Sequence, residues 1–308
     1  MALQARYLAG IRPADQVLDA RLAVTDHIFM PPLPMPSAWA EPLPEAAPPS
    51  EMKLYQLPTG SYETRAAFAF KGGSFRDKRR FAATATLLRH PQGDLLIDAG
   101  FGSHVAAHIQ SLPRMEQAPY QVTSIASDQL TASGYDRSGL RGVLLTHSHW
   151  DHVSGLDELQ VPIWINAGEL QYASEHRGGR VFREVSAGHK IHQYELNGPS
   201  YLGFSSSFDV YGDGSVVIVP ARGHTTGSVI IFVTLPARKR YAFIGDLTWQ
   251  IDGIHSRVER PLLLRKLADT DPKLVRDDLL RMIALADVMQ IVPAHDVNAY
   301  DGIPLLAN

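Results

Sequence analysis

The sequence predicts an α/β fold in which two sheets lie between layers of helices, an αββα four-layer sandwich. Short apolar runs with strand character give way to helical periodicity twice over along the chain. Histidine and aspartate residues recur just past the C-terminal ends of four such runs, where the loops of layered α/β folds converge on active sites. Apolar residues make up 45% of the 308 positions against 20% charged, ample material for a core of that size.

Residues 13–30 read as a short helix with Val17, Leu18, Leu22 and Ile28 as its apolar positions. Residues 31–49 then hold eight prolines (Pro31, Pro32, Pro34, Pro36, Pro42, Pro44, Pro48 and Pro49), which rule out regular helix or central strand. This segment reads as a linker or a strap, with Trp39, Leu43 and Met35 as apolar groups that anchor it on a partner subunit in a homodimer. The domain division is therefore an arm over residues 1–51 and one catalytic domain over 52–308. Strand patterns begin at Lys53. Phe68 to Phe70 and Phe81 to Arg89 flank Lys71-Gly72-Gly73-Ser74 and the charged run at 76–80, a solvated hairpin tip with some prospect of meeting an anionic substrate. Asp94 to Ile97 is a strand ending in Asp98-Ala99-Gly100-Phe101-Gly102, and Ser103 follows as the cap of a helix through Ile109. Arg141 to Thr146 is the next strand, Val153 to Leu159 looks helical, and Pro162 to Ile165 is again a strand. Asn166 with Glu169 caps a helix over Gly168 to Ser174. Residues 176–215 are long and glycine-rich, of a kind that often shapes a pocket. Val216 to Pro220, Tyr241 to Gly245 and Val288 to Val292 are buried strands, and Asp271 before Pro272 starts a helix carrying Val275, Leu279, Met282, Ile283 and Ala286.

The stretch Thr146-His147-Ser148-His149-Trp150-Asp151-His152 carries the chemistry. His147 and His149 are two apart, so in an extended or tightly turning segment they point the same way, whereas the adjacent Asp151 and His152 diverge. The simplest geometry is two neighbouring metal sites, one fed by each pair. Imidazole suits zinc and other first-row transition metals, and the carboxylate adds a hard oxygen ligand. Three further candidates lie past strand ends: His224, Asp246 and His295. A lone histidine after a strand is more often structural, but four strand ends offering ligands together are a joint signal.

With these residues in place the chain resembles the metallo-β-lactamase-fold hydrolases over roughly residues 52 to 300. The family pattern His-x-His-x-Asp-His, then a distant His, Asp and His, is matched at all seven positions. The resemblance implies that His147, His149 and His224 hold one divalent ion, that Asp151, His152 and His295 hold a second, and that Asp246 bridges them. Zinc is the expected metal, with iron or manganese suited to the same ligands. The implied reaction is hydrolysis of a carboxylic ester or lactone by a metal-bound hydroxide, with Asp151 and Asp246 in catalytic roles. Asp98 is either a partner that sets the tautomer of a ligand imidazole or a simple turn aspartate.

Other classes find little support. There is no Gly-x-Ser-x-Gly elbow and no dinucleotide glycine fingerprint. The absence of cysteine excludes disulfides and any Cys-ligated metal. A net charge of −3 argues against nucleic acid or an anionic membrane as partner, and no run reaches transmembrane length, so a cytoplasmic location with a small-molecule substrate is expected. The 22 residues from His224 to Asp246 resemble the spacing in acyl-homoserine lactonases, which commonly carry a tyrosine three positions after the bridging aspartate. Trp249 stands there instead, and an indole N–H donates a hydrogen bond but is no acid. Phe101, Trp150 and Trp249 are candidate pocket walls. The alternatives are a glyoxalase II-like thioesterase drawing on Arg222 and the 76–80 run, a phosphotriester hydrolase, and a non-catalytic binding or regulatory protein on the same scaffold.

Overall fold

The computed structural model describes residues 31–306 with the exception of residue 115. The helix expected over 13–30 lies outside the described residues. The first sheet has seven strands: β1 (Lys53–Arg65), β2 (Lys78–Arg89), β3 (Asp94–Ile97), β4 (Tyr120–Val122), β5 (Leu140–Leu144), β6 (Ile163–Asn166) and β7 (Ile191–Tyr194), in the order β4-β1-β2-β3-β5-β6-β7. The second has β8 (Phe208–Asp209), β9 (Val216–Pro220), β10 (Val229–Thr234), β11 (Arg240–Phe243) and β12 (Gln290–Val292), in the order β12-β11-β10-β9-β8. β1 and β2 pair antiparallel from Lys53↔Arg89 to Arg65↔Lys78 with one register shift at Pro58/Gly60. The strands from β3 to the edge, β3-β5-β6-β7, are parallel.

Side-chain alternation builds the layers. On β10, Val229, Ile231 and Val233 face a core between the sheets that also holds Leu54, Leu88, Ile97, Leu144, Trp164 and Phe243. Ile230 and Phe232 point the other way, onto α9 (Pro272–Leu285), which follows α8 (Leu262–Ala268) in the chain and buries Val275, Leu279, Met282 and Leu285. On β5, Leu144 faces inward while Val143, and Leu145 just past the strand, meet the helices α3 (Ala126–Ala132), α5 (Ala167–Glu175) and α6 (Arg180–Val185). Helix, sheet, sheet, helix is the expected order.

Two helix starts follow the sequence closely. Asp271 accepts from the amides of Lys273 (2.9 Å) and Leu274 (3.3 Å), with Pro272 at the first helical position. Asn166 accepts from the Glu169 amide at 3.0 Å. Elsewhere tertiary contacts override local pattern. The expected strand at 68–70 is not formed: residues 66–69 make a single helical turn, α1 (Ala66–Ala69), capped by Phe70, because the chain must fold over Gly73 before β2 begins. Ser103 does not cap α2 (Val105–Ser111): His104 occupies the cap, and the Ser103 hydroxyl goes to Glu158. Val153 to Leu159 is not one helix but the end of α4 (Trp150–Val153) followed by a 3-10 turn at Leu156–Glu158. The charged run is not all hairpin tip, since Lys78 to Arg80 open β2 and Arg79 pairs with Asp77 and Asp252. No helix among the described residues is long and apolar enough to cross a membrane.

Residues 31–49 carry neither helix nor strand, as the prolines dictate. They lie on their own chain. Leu33 is buried in the cluster under α9, and Trp39 and Leu43 pack against that cluster, while Met35 is exposed. Of the anchors expected to meet a partner subunit, Trp39 and Leu43 are therefore engaged in cis and Met35 is not engaged.

Candidate metal centre

Four strand ends deliver the candidate ligands to one place. The loop after β5 carries His147 and His149 into α4, which holds Asp151 and His152 on its first turn. His224 follows β9, Asp246 follows β11 and His295 follows β12. The approach is close: at Gly245 (φ +50°) an added Cβ would lie 3.0 Å from the Thr146 side chain. A bulkier residue there would push Asp246 away from His147.

All seven residues meet in two adjoining groups, His147, His149, His224 and Asp246 in one, Asp151, His152 and His295 in the other. His149 Nδ1 lies 3.1 Å from His147 Nε2 and 2.9 Å from His224 Nε2. Asp246 reaches both groups: Oδ1 is 3.1 Å from His152 Nε2 and 3.0 Å from His295 Nε2, and Oδ2 is 3.5 Å from His224 Nε2. Two ligands about 2.0–2.1 Å from a tetrahedral ion are separated by roughly 3.3 Å, so these spacings are those of a ligand set. Asp151 and His152 do diverge, as adjacency requires. Asp151 turns toward Tyr62 and His295, and His152 turns toward Asp98 and Asp246.

Hydrogen bonds on the far side of each ring show that the residues fit metal ions. His295 Nδ1 meets the Ala82 carbonyl at 2.7 Å, which fixes the proton there. Its Nε2 lone pair then faces Asp246 and Asp151 and makes no aligned hydrogen bond. His152 Nδ1 meets Asp98 at 2.8 Å and His224 Nδ1 meets Asp269 at 3.1 Å, so their Nε2 atoms also turn inward. His149 has its Nε2 against the Tyr172 hydroxyl at 3.0 Å and presents Nδ1. Lone pairs facing one another and carboxylates across about 3 Å repel unless a cation lies among them.

Burial and the carboxylates act differently on the rings of this cluster. Burial, reinforced by neighbouring histidines, holds His147 and His149 well below the ordinary imidazole value, the neutral form that binds metal. Burial opposes charge on His152 and His295, but the carboxylates outweigh it and raise both. Burial likewise opposes ionisation of Asp246, and His295, His152 and His147 outweigh it, holding that carboxyl well below its usual range.

Of the two readings of Asp98, the structure selects the imidazole partner. It sits at φ +54°, accepts from the Thr146 amide and hydroxyl at 2.8 Å each, and orients His152. Several supporting residues carry no sequence signal. Asp269 orients His224 and is paired with buried Arg260 at 2.8 and 3.1 Å. Arg260 also stacks over the Trp249 ring, 4.5 Å from its centroid. Glu169, read only as a capping residue, holds the Ser148 amide and hydroxyl and the Thr225 hydroxyl, tying two ligand loops together. Tyr62, on β1, donates to Asp151 Oδ2 at 3.1 Å; burial, then the Asp151 and Asp246 carboxylates, push its phenol well above the usual value.

The expected pocket walls divide. Trp150 is partly exposed beside Tyr62. Phe101 is fully buried and stacks behind Trp150 at 5.5 Å, so it backs the wall and does not form its surface. Trp249 is partly exposed, yet its indole N–H donates to Asp246 Oδ2 at 2.8 Å. Arg222 is exposed and lines a separate cavity of about 400 Å³ with Phe204, Asp278 and Arg281, whose lining includes none of the ligands.

A fold of two sheets between helix layers, with seven candidate metal ligands gathered at its strand ends, is that of a metal-dependent hydrolase. The chain belongs to the metallo-beta-lactamase superfamily, whose sequence profile matches residues 79–295. It is 26% identical to a probable metallo-hydrolase of Mycobacterium tuberculosis over 234 residues, 70% of this chain and 74% of that one. It is 24% identical to the N-acyl homoserine lactonase AttM of Rhizobium johnstonii over 260 residues, 82% of this chain and 95% of the lactonase. Among solved structures, an N-acyl homoserine lactone hydrolase with its product N-hexanoyl-L-homoserine at the catalytic metal centre superposes with TM-score 0.64 at 16% identity, covering 82% of this chain and 96% of that one. The dizinc quorum-quenching lactonase AidC gives TM-score 0.56 at 15% identity, covering 82% and 90%.

Proposed function

We propose that this hydrolase holds two divalent ions, zinc in both positions, and cleaves a carboxylic ester or lactone. The observation that carries the reading is Asp246, whose two oxygens face both ligand groups at once. His147, His149 and His224 would hold one ion and Asp151, His152 and His295 the other, with Asp246 between them. Bound there, such a pair supplies Lewis acidity and a nucleophile drawn from water at neutral pH. The protein's own part is positional. Asp98, Asp269, Ala82 and Tyr172 fix the ligand rings, Asp246 and Asp151 offset positive charge, and Trp150 with Phe101 behind it gives an apolar wall for an acyl group. The resemblance of AttM and AidC, both named lactonases, supports this substrate class.

The glutathione thioester alternative needs free cationic groups near the ligands. Arg79 is paired with Asp77 and Asp252, Arg260 with Asp269, and Arg222 lines another cavity. The test is a kinetic panel of homoserine lactones of graded chain length, aryl esters, S-lactoylglutathione and a phosphotriester, on protein whose metal content is measured alongside. The expected result is about two zinc ions per chain and highest kcat/KM on a lactone or ester. His149→Ala and Asp246→Asn are expected to lower kcat by at least about 100-fold. A thioester favoured by several orders of magnitude overturns the substrate class, and equal residual rates in wild type and both variants overturn catalysis.

A further inference from the structure

We propose that Tyr62 donates the hydrogen bond that stabilises the leaving oxygen of the substrate, a role for which position 249 is not available; this rests on the ester and lactone reading above. Trp249 has one N–H, and Asp246 Oδ2 holds it at 2.8 Å. The indole N–H is fixed in the plane of its ring and points at the central carboxylate, so it cannot swing to a substrate as a phenol O–H can about its C–O bond. The hydroxyls packed behind the ligands are engaged as well. Thr146 gives its hydrogen to Asp98, Ser148 and Thr225 give theirs to Glu169, and all three are buried. The Tyr172 hydroxyl accepts from His149 Nε2, and it is its place behind that ring, buried on α5, that keeps it from substrate.

Tyr62 differs in placement. It stands on β1, outside the strand ends that deliver the ligands, and it is only half-buried. Its ring packs at 5.1 Å on Phe81 and 5.7 Å on Trp150 and meets His295 edge-on at 5.6 Å, so it belongs to the wall over the Asp151, His152 and His295 group. The hydroxyl lies 3.1 Å from Asp151 Oδ2. A phenol has one hydrogen to give. With a cation drawing on the same carboxylate, Asp151 is the weaker acceptor, and the hydrogen is free to turn to an oxygen that is gaining charge.

The bond changes balance without a further reagent. The oxygen of water forms a bond to the acyl carbon, and the old carbon–oxygen bond breaks with its electron pair going to the leaving oxygen. The proton released by water ends on that oxygen. Tyr62 supplies a hydrogen bond during this step and keeps its own proton. The stabilisation therefore scales with the charge the leaving oxygen must bear: large for an alkoxide from a lactone or alkyl ester, small for a nitrophenolate that disperses its charge.

The test compares wild type and Tyr62→Phe on esters of one acid whose alcohols range from nitrophenol to simple alkanols, with a lactone included. Metal content and circular dichroism are recorded for both proteins. The expected result is a loss of about 100-fold on the lactone and alkyl esters, a nearly unchanged nitrophenyl ester, and a steeper dependence of log kcat on leaving-group pKa. Trp249→Phe, which loosens Asp246, is expected to lower all substrates alike. A uniform loss in Tyr62→Phe, or a loss that follows missing metal, overturns the assignment and makes Tyr62 a support for Asp151. Wild-type protein that turns over no member of the series overturns the ester and lactone reading itself, and this role with it.

Discussion

The seven candidate ligands are legible in the sequence because metal binding demands particular side chains at short, repeated spacings, and spacing survives in one dimension. What holds them is not. Each supporting contact joins residues far apart in sequence, such as His224 with Asp269 and His295 with the Ala82 carbonyl, and any aspartate or any carbonyl serves. Arg260 is the extreme case. One buried guanidinium pairs with the carboxylate behind His224 and stacks on the indole that donates to Asp246, so it braces two ligands while touching neither. Arg260→Met is expected to weaken metal retention about 10–100-fold, read as the chelator concentration that strips the ions. Leaving Asp269 without its partner is expected to cost roughly 3–5 kcal/mol, so the titration is read on protein shown to be folded by circular dichroism. An unchanged stripping curve would mean that His224 alone keeps Asp269 in place.

At the scale of elements, long amphipathic patterns with explicit caps transferred to the structure and short ones did not. α9 begins at Asp271 and buries the expected stripe because fourteen residues of periodicity and a proline at the first position outweigh local competition. The turn at Ala66–Ala69 reads as strand from Phe68 and the neighbouring Phe70, since four residues are too few for a period to show. α9 also contains a group that works against it. Burial raises the Asp278 carboxyl to about 6, with Arg281 pulling the other way and only partly compensating. A carboxyl with a raised folded pKa binds more protons folded than unfolded, so its contribution is fully favourable below its ordinary value of 3.8 and is lost as pH rises through about 6. Asp278→Asn is therefore expected to melt higher than wild type at pH 7, by a margin equivalent to about 3 kcal/mol, and to lose that margin near pH 4. Thermal melts of both proteins from pH 4 to 8 check this; parallel curves would show that Arg281 keeps the carboxylate charged throughout.

For the whole molecule, the proline-rich segment decides what the outer helix layer rests on. Eight prolines keep residues 31–49 extended before they dock, so the segment loses less entropy than a flexible chain of its length. It is held by the Leu33 amide on the Arg257 carbonyl (2.7 Å), the Trp39 amide on the Ala284 carbonyl (3.1 Å), the Ala47 amide on the Asp213 carbonyl (2.8 Å) and the Arg240 guanidinium on the Pro44 carbonyl (2.6 Å). These contacts span the end of α7 (Asp252–His255), the C-terminal turn of α9 and the second sheet, which makes the segment a strap across one face. Leu33, Trp39 and Leu43 add apolar burial, at about 1.5–3 kcal/mol for each side chain that is fully buried and less for the two that are partly so. After the cost of ordering the strap, a net few kcal/mol remains. In a chain of this size each kcal/mol moves the midpoint by about 2–4 °C, so removing residues 1–49 is expected to lower Tm by roughly 5–15 °C. Because the apolar anchors lie on their own chain, light scattering is expected to give the same oligomeric state before and after truncation. A truncated protein that melts unchanged would show that the strap adds nothing. One that falls from dimer to monomer would show that the anchors leave their own chain to join two copies.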